Sequence, residues 1–184
     1  MQRRMKVRAR PLAAAVALAT GVGIAVGRLR RRGKGGERSS MIEANKAIAR
    51  RVIDEIYNAG RLEVADEIVT PDFVGRDPAS PEPMRGPEGL KRQAEGYRAA
   101  FPDLRLTIED EIAERDRVVT RWSARGTHEA ELFGIPATGK QATVSGITIS
   151  RIVDGRVAQS WISWDTFGLL QQLGAIPAMA EAKT

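Results

Sequence analysis

The chain has 184 residues, 42% apolar and 28% charged, which suits one medium-sized soluble domain with a small additional segment. It holds no cysteine, which excludes disulfides, thiolate metal sites and thiol nucleophiles, and its single histidine leaves no basis for a transition-metal site. The net charge of +6 belongs to one end: residues 1–40 carry 11 of the 29 Lys and Arg and one of the 23 acids, so the other 144 residues are net −4 and no nucleic-acid partner is expected.

Residues 1–10 carry Arg3, Arg4, Lys6, Arg8 and Arg10, and an uncharged run, PLAAAVALATGVGIAVG (11–27), follows. As a helix this run is about 25 Å long, at the lower limit for a bilayer, and it is rich in Ala and Gly rather than Leu. Four readings stay open: a weak membrane anchor, a signal cleaved after Gly23-Ile24-Ala25, an Arg-rich presequence, or an extension ahead of a start at Met41. Membrane contact is expected through residues 11–27 only. Localisation stays open between a cytoplasmic domain, free or anchored, and export. Residues 31–40 read as a flexible linker, which gives boundaries of 1–40 (extension), 41–176 (folded domain) and 177–184 (tail).

SSMIEANKAIARRVIDEIYNAG (39–60) predicts a helix, with Ser40 and Glu43 as a capping box, Gly60 as the stop, and Ile48, Val52 and Ile56 on one face. A second short helix is expected over 61–70 and a short strand over 72–74. Residues 75–89, rich in Pro and Gly, read as a loop, and Pro87 opens a third helix that ends at Phe101-Pro102. From residue 103 the apolar period becomes two. Strands are expected over 104–112, 117–126, 142–153 and 156–164, the last two joined by a tight turn at Asp154-Gly155. Helices first and antiparallel strands after give an α+β domain with helices on one face of the sheet.

If the last hairpin pairs without interruption, Ile152 opposes Val157, Ile149 opposes Ser160, and Ile147 opposes Ile162. One face then carries Ile147, Ile149, Ser160, Ile162 and Trp164, and is expected against the helices; Trp161 is on the other, available to a partner subunit. Arg121 and Arg125 share a strand face, and a solvated or inter-subunit role suits them. GIPATGK lacks the glycine spacing and the strand-to-helix context of a phosphate loop, and no Ser has a His and Asp partner in a recognisable triad.

GTHEAELFGIPATGK (126–140), RIVDGRV (151–157), WDTFGLLQQLG (164–174), PDFVGRDP (71–78), RGPEGLK (85–91) and FPDLRLTIED (101–110) together resemble the SnoaL-like polyketide and ester cyclases, in order, over residues 41–176. The resemblance implies a cone-shaped nuclear-transport-factor-two-like fold: a curved, mostly antiparallel sheet, three N-terminal helices, a short C-terminal helix, and a pocket. It implies work without metal or cofactor, a pocket aspartate acting as general acid and base on an enolisable polyketide. A homodimer through the sheet face, with Trp161 as an anchor, is expected from the face assignment. Here that aspartate's place is filled by Ile162, and the place of a histidine of those cyclases by Thr148, so the expected hollow is greasy and lacks its proton-transfer group at that spot.

Two substitutes are candidates. Asp165 is either a base at the pocket mouth or the N-cap of the helix that follows. His128 is either a proton shuttle or a strand-end residue bonded to a loop. Tyr97, Phe101, Trp122, Phe133, Ile147, Ile149, Ile162 and Trp164 are the expected ligand-binding wall. Two functions remain: a cofactor-free cyclase, isomerase or lyase acting on a small apolar carbonyl compound, or a non-catalytic binding or accessory domain that keeps the fold without the carboxylate.

Overall fold

The protein is described by a computed structural model over residues 19–177, with side chains from residue 35. The chain divides into two units, Met1–Ser39 and Ser40–Thr184, and the candidate site lies in the second. Residues 11–18 of the apolar run lie outside the described residues, as does the tail from residue 178. Among the described residues no helix is long and apolar enough to cross a membrane.

Helix α1 (Ala19–Arg51) runs through Ser40, so Ser40 caps nothing and the linker expected at 31–40 is helical. Extending an existing helix by a residue costs far less than starting one, and α1 needs no second start at Ser40. The chain continues into a π-helical segment, Val52–Asn58. Gly60, at φ +70°, stops it. Arg98 donates to the freed carbonyls of Tyr57 (2.7 Å) and Asn58 (3.2 Å), and the Asn58 side chain exchanges two hydrogen bonds with the Leu106 backbone. The helix end is thereby fixed to the sheet.

Helix α2 (Val64–Ile68) is shorter than expected because Val69 and Thr70 join strand β1 (Val69–Arg76), where β-branched residues are favoured. The region expected as a loop contains the two-residue strand β2 (Met84–Arg85), then helix α3 (Gly86–Ala100) with Pro87 in its first turn. Strands β3 (Arg105–Glu114), β4 (Arg117–Thr127), β5 (Gln141–Val153) and β6 (Arg156–Trp164) follow, and α4 (Thr166–Leu173) closes the fold. The sheet is curved and unclosed, in the order β2-β1-β6-β5-β4-β3, antiparallel except for β1 beside β6. The architecture is thus the α+β one read from the pattern. Phe73, Ile56, Ile68, Val69 and Val118 form the centre of the main core, each nearly or fully buried.

The β5–β6 hairpin corrects the face assignment. Asp154 and Gly155 form the turn with positive φ at both positions, and Ile152 opposes Val157 as expected. Arg151 then opposes Gln159, leaving Ala158 as an additional residue in β6. This bulge moves all later pairs by one: Ser150 faces Ser160, Thr148 faces Ile162, and Ile149 faces Trp161. Ser160, Ile162 and Trp164 keep the inward face, joined on β5 by Thr148 and Ser150. Ile147 and Ile149 are on the outer face instead, and Ile147 is 44% exposed.

Candidate functional site

Between the inward face of the sheet, the α1/π-helical stretch and α3 lies a cavity of about 130 Å³. Its wall is largely apolar, with Ile53, Leu106, Trp122 and Ile162 packed together on one side. Gly146 makes room for it: a Cβ there would stand 2.5 Å from Trp122 Cζ2 and 2.7 Å from Trp164 Cβ, so only glycine lets the two indoles close over β5. Trp122 Nε1 donates to Thr148 Oγ1 at 3.0 Å.

One carboxylate is in this wall, and it is not one that the sequence singled out. Asp77 stands one residue beyond β1, only 7% exposed. The following Pro78 has no N–H to offer a ladder, so the strand ends there. Asp77 Oδ1 accepts from the Ala79 N–H (2.8 Å), an Asx turn, and from Trp164 Nε1 (2.9 Å). Oδ2 accepts from Gln93 Nε2 (2.6 Å) and the Tyr97 hydroxyl (3.2 Å). Gln93 Oε1 accepts in turn from the Tyr57 hydroxyl at 2.6 Å. Gln93 and Tyr97 are four apart on α3 and so share a helix face; Tyr57 comes from the π-helical segment and Trp164 from the end of β6.

Burial above all, and then the charge of Asp77, pushes the phenols of Tyr57 and Tyr97 well above the usual tyrosine range. Both therefore keep their protons and act as hydrogen-bond donors. The arrangement is a buried carboxylate ringed by neutral donors at the edge of an apolar hollow. Such a group can exchange a proton with a ligand, and the phenols can donate to a ligand oxygen. Arg125 also lines the cavity, from an exposed position on β4. Among the described residues, no three His, Cys, Asp or Glu side chains converge as a metal site would require.

The two candidates singled out for proton transfer are elsewhere. Asp165 is exposed and accepts the Gly168 N–H at 2.7 Å, the geometry of an N-cap on α4, and it is not part of the cavity wall. His128 is fully buried, with its ring tilted against Phe101 at 5.3 Å. Its Nδ1 accepts the Thr138 N–H at 3.3 Å, and its Nε2 has no hydrogen-bond partner among the described residues. It does not reach the cavity. Of the expected wall, Tyr97, Phe101, Trp122, Ile162 and Trp164 line the cavity. Ile147 and Ile149 do not, because of the bulge. Phe133 does not either: it is 47% exposed, on a turn outside, with its ring edge-on to Tyr97 at 6.3 Å.

Asp77, Gln93 and Tyr57 were missed. The Asp-Pro pair at a strand end and the Gln93/Tyr97 spacing were the available signals, and neither reveals burial by itself.

A family model described as SnoaL-like polyketide cyclase matches residues 47–173. The chain is 29% identical over 129 residues to aklanonic acid methyl ester cyclase DnrD of Streptomyces peucetius, a match covering 69% of this chain and 88% of that protein. It is 31% identical over 122 residues to the nogalonic acid methyl ester cyclase of Streptomyces nogalater, covering 64% and 89%. Among solved structures, TsrD from Streptomyces laurentii superposes with a TM-score of 0.63 at 32% identity, over 71% of this chain and 97% of that one.

Proposed function

Because the chain belongs to the SnoaL-like polyketide cyclase family, we propose that it binds a small apolar, polyketide-like carbonyl compound in the cavity and moves a proton on it, with Asp77 as the proton-transfer group. The observation that carries this is the near-complete burial of Asp77 in a largely apolar wall, beside two phenols that stay protonated.

In this reading Tyr97, whose bond to Asp77 is the longest of the four, turns its hydroxyl to the ligand's carbonyl oxygen. That frees Asp77 Oδ2 to take a proton from the carbon beside the carbonyl. The C–H electron pair becomes an enolate, stabilised by the phenol donor. The enolate carbon attacks a second carbonyl of the same ligand, forming the C–C bond, and the resulting alkoxide recovers the proton from Asp77. The cycle is redox-neutral. Positioned acid–base groups of this kind contribute about 10²- to 10⁴-fold in rate.

Proton exchange on a simple ketone tests this without the natural substrate. Phenylacetone in D₂O is expected to lose its benzylic protons faster with the protein than without, by NMR. Asp77→Asn should reduce the acceleration at least about 100-fold with binding retained. Binding with no acceleration by the native protein would instead support the second reading, a non-catalytic binding domain; four hydrogen bonds already on Asp77 are the observation that favours it.

The same reading includes a homodimer through the outer sheet face. Ile112, Val119, Ile149 and Trp161 lie in one cross-strand row there, with Ile112 65% exposed and the Arg117 guanidinium 5.9 Å from the Trp161 ring centre. Light scattering should give twice the chain mass, and Trp161→Glu should give the monomer; a native monomer at micromolar concentration would rule the dimer out.

A further inference from the structure

The inward face of the sheet carries hydroxyls where a closed core would carry hydrocarbon. Ile147 and Ile149 of β5 point outwards, while Thr148 and Ser150 line the cavity, joined by Thr120 of β4 and Ser160 of β6. Thr120, Ser150 and Ser160 are all buried. The Thr148 hydroxyl is engaged by the Trp122 indole. Those of Thr120, Ser150 and Ser160 have no hydrogen-bond partner among the described residues, and none of the three oxygens is sealed off from the hollow. An unpaired hydroxyl in a buried wall is unfavourable until an acceptor reaches it, so this part of the wall is set up for an oxygen.

Register places two of these hydroxyls near Asp77. Ser150 and Ser160 oppose each other directly across β5 and β6, which sets their Cβ atoms about 5 Å apart, close enough to share one acceptor. Ser160 is level with Gly75 on β1, and Asp77 follows two residues later. Strand spacing and rise then set the Asp77 and Ser160 backbones about 8 Å apart. Gly75 has no side chain to cover the hydroxyl: a Cβ there would stand 2.9 Å from Ser160 Oγ.

This separation suits the ring closure set out above. The carbon that loses its proton ends two bonds away from the oxygen that becomes an alkoxide, so the base and that oxygen's donors must stand one ligand fragment apart. Tyr97 serves the carbonyl on the enolate side, and the second carbonyl needs donors of its own.

We propose that the Ser150 and Ser160 hydroxyls are those donors: they polarise the second carbonyl as the enolate carbon approaches and hold the alkoxide until it takes the proton carried by Asp77. The C–H electron pair becomes the new C–C bond, the carbonyl π pair moves to oxygen, and the proton passes from carbon through Asp77 to that oxygen, so no oxidant or reductant is needed. The proposal rests on the reading of Asp77 as the proton-transfer group and adds two catalytic residues to it.

Heptane-2,6-dione separates the two steps within one molecule. In D₂O its enolate is reported by exchange of the protons beside the carbonyls, and its ring closure by the appearance of 3-hydroxy-3-methylcyclohexanone, both by NMR. The native protein is expected to accelerate both. Ser150→Ala and Ser160→Ala should each lower the ratio of cyclisation to exchange at least about tenfold, since removing one donor from an oxyanion site costs about 10²- to 10³-fold in rate. Neither variant should unfold earlier in urea, because each deletes a hydroxyl that no protein group uses. An unchanged ratio in both variants overturns the proposal. So does an equal loss of both steps with an earlier urea midpoint, which would make the hydroxyls structural. Exchange of phenylacetone and of the dione by the native protein, without cyclisation, overturns the proposal and leaves Asp77 its role. Exchange of neither compound refutes the underlying reading and the proposal with it.

Discussion

The indole N–H of Trp164 donates to Asp77 Oδ1 at 2.9 Å across 87 positions of sequence. That bond joins the end of the last strand to the loop after the first, and it brings the carboxylate to face the cavity beside the ring of Tyr97, itself edge-on to Trp164 at 6.2 Å. Trp164→Phe keeps most of the ring and removes only the donor. It should cost about 1–3 kcal/mol in urea unfolding, the penalty for leaving a buried acceptor short of a partner. An unchanged midpoint would mean that water replaces the indole there.

The two aspartates should separate cleanly. Asp165→Ala removes the α4 cap and should cost about 1 kcal/mol in unfolding free energy while leaving phenylacetone binding and proton exchange as they were. Loss of exchange in that variant, with the fold intact, would return the chemistry to Asp165 and remove it from Asp77.

Gly146→Ala drives a methyl group against Trp122 and Trp164. Overpacking of this kind costs about 1–3 kcal/mol, so thermal unfolding should come earlier. The displaced indoles should also narrow the cavity, and phenylacetone affinity should fall with them. A variant as stable as the native chain, with full affinity, would show that β5 yields more readily than the contacts suggest.

Acid should destabilise the domain through identifiable carboxylates. The Thr127 N–H and hydroxyl, at 2.6 and 2.8 Å, hold the Asp103 carboxyl below the usual aspartate range, and the bond from Arg151 does the same for Asp116. Each is depressed in the folded state, so the unfolded chain binds the proton first. Their contribution is therefore complete above about pH 4 and is lost as pH falls through the folded values. Melting temperatures between pH 6 and 3 should drop, and Asp103→Asn should drop less over that range. An equally steep fall in Asp103→Asn would mean that other carboxylates dominate acid unfolding.

The architecture was legible because it rests on local signals. Period-four and period-two apolar patterns, Pro87 opening α3, and the Asp154-Gly155 turn each act within a few residues. The site was only partly legible. Trp122, Ile162 and Trp164 alternate along strands, and alternation reveals a face. Asp77 follows a strand in a proline-rich stretch, and what buries it arrives from Gln93, Tyr97 and Trp164, far along the chain. The inward face of β5 failed for a different reason: a single unpaired residue, Ala158, leaves no mark in hydrophobicity, yet it exchanged the roles of Ile147 and Ile149 with those of Thr148 and Ser150.

That unpaired residue has a genetic corollary. Losing the Ala158 codon would only remove the bulge: Gln159 would still meet Arg151 and Ile162 would still meet Thr148, so the interior would survive. Losing the Trp161 codon instead would turn the rest of β6 over against a fixed β5, sending Ser163 indoors and pushing Ile162 and Trp164 into water, and Asp77 would lose its indole partner without any change at Asp77 itself. The hairpin thus carries one residue of slack near its start and none beyond it.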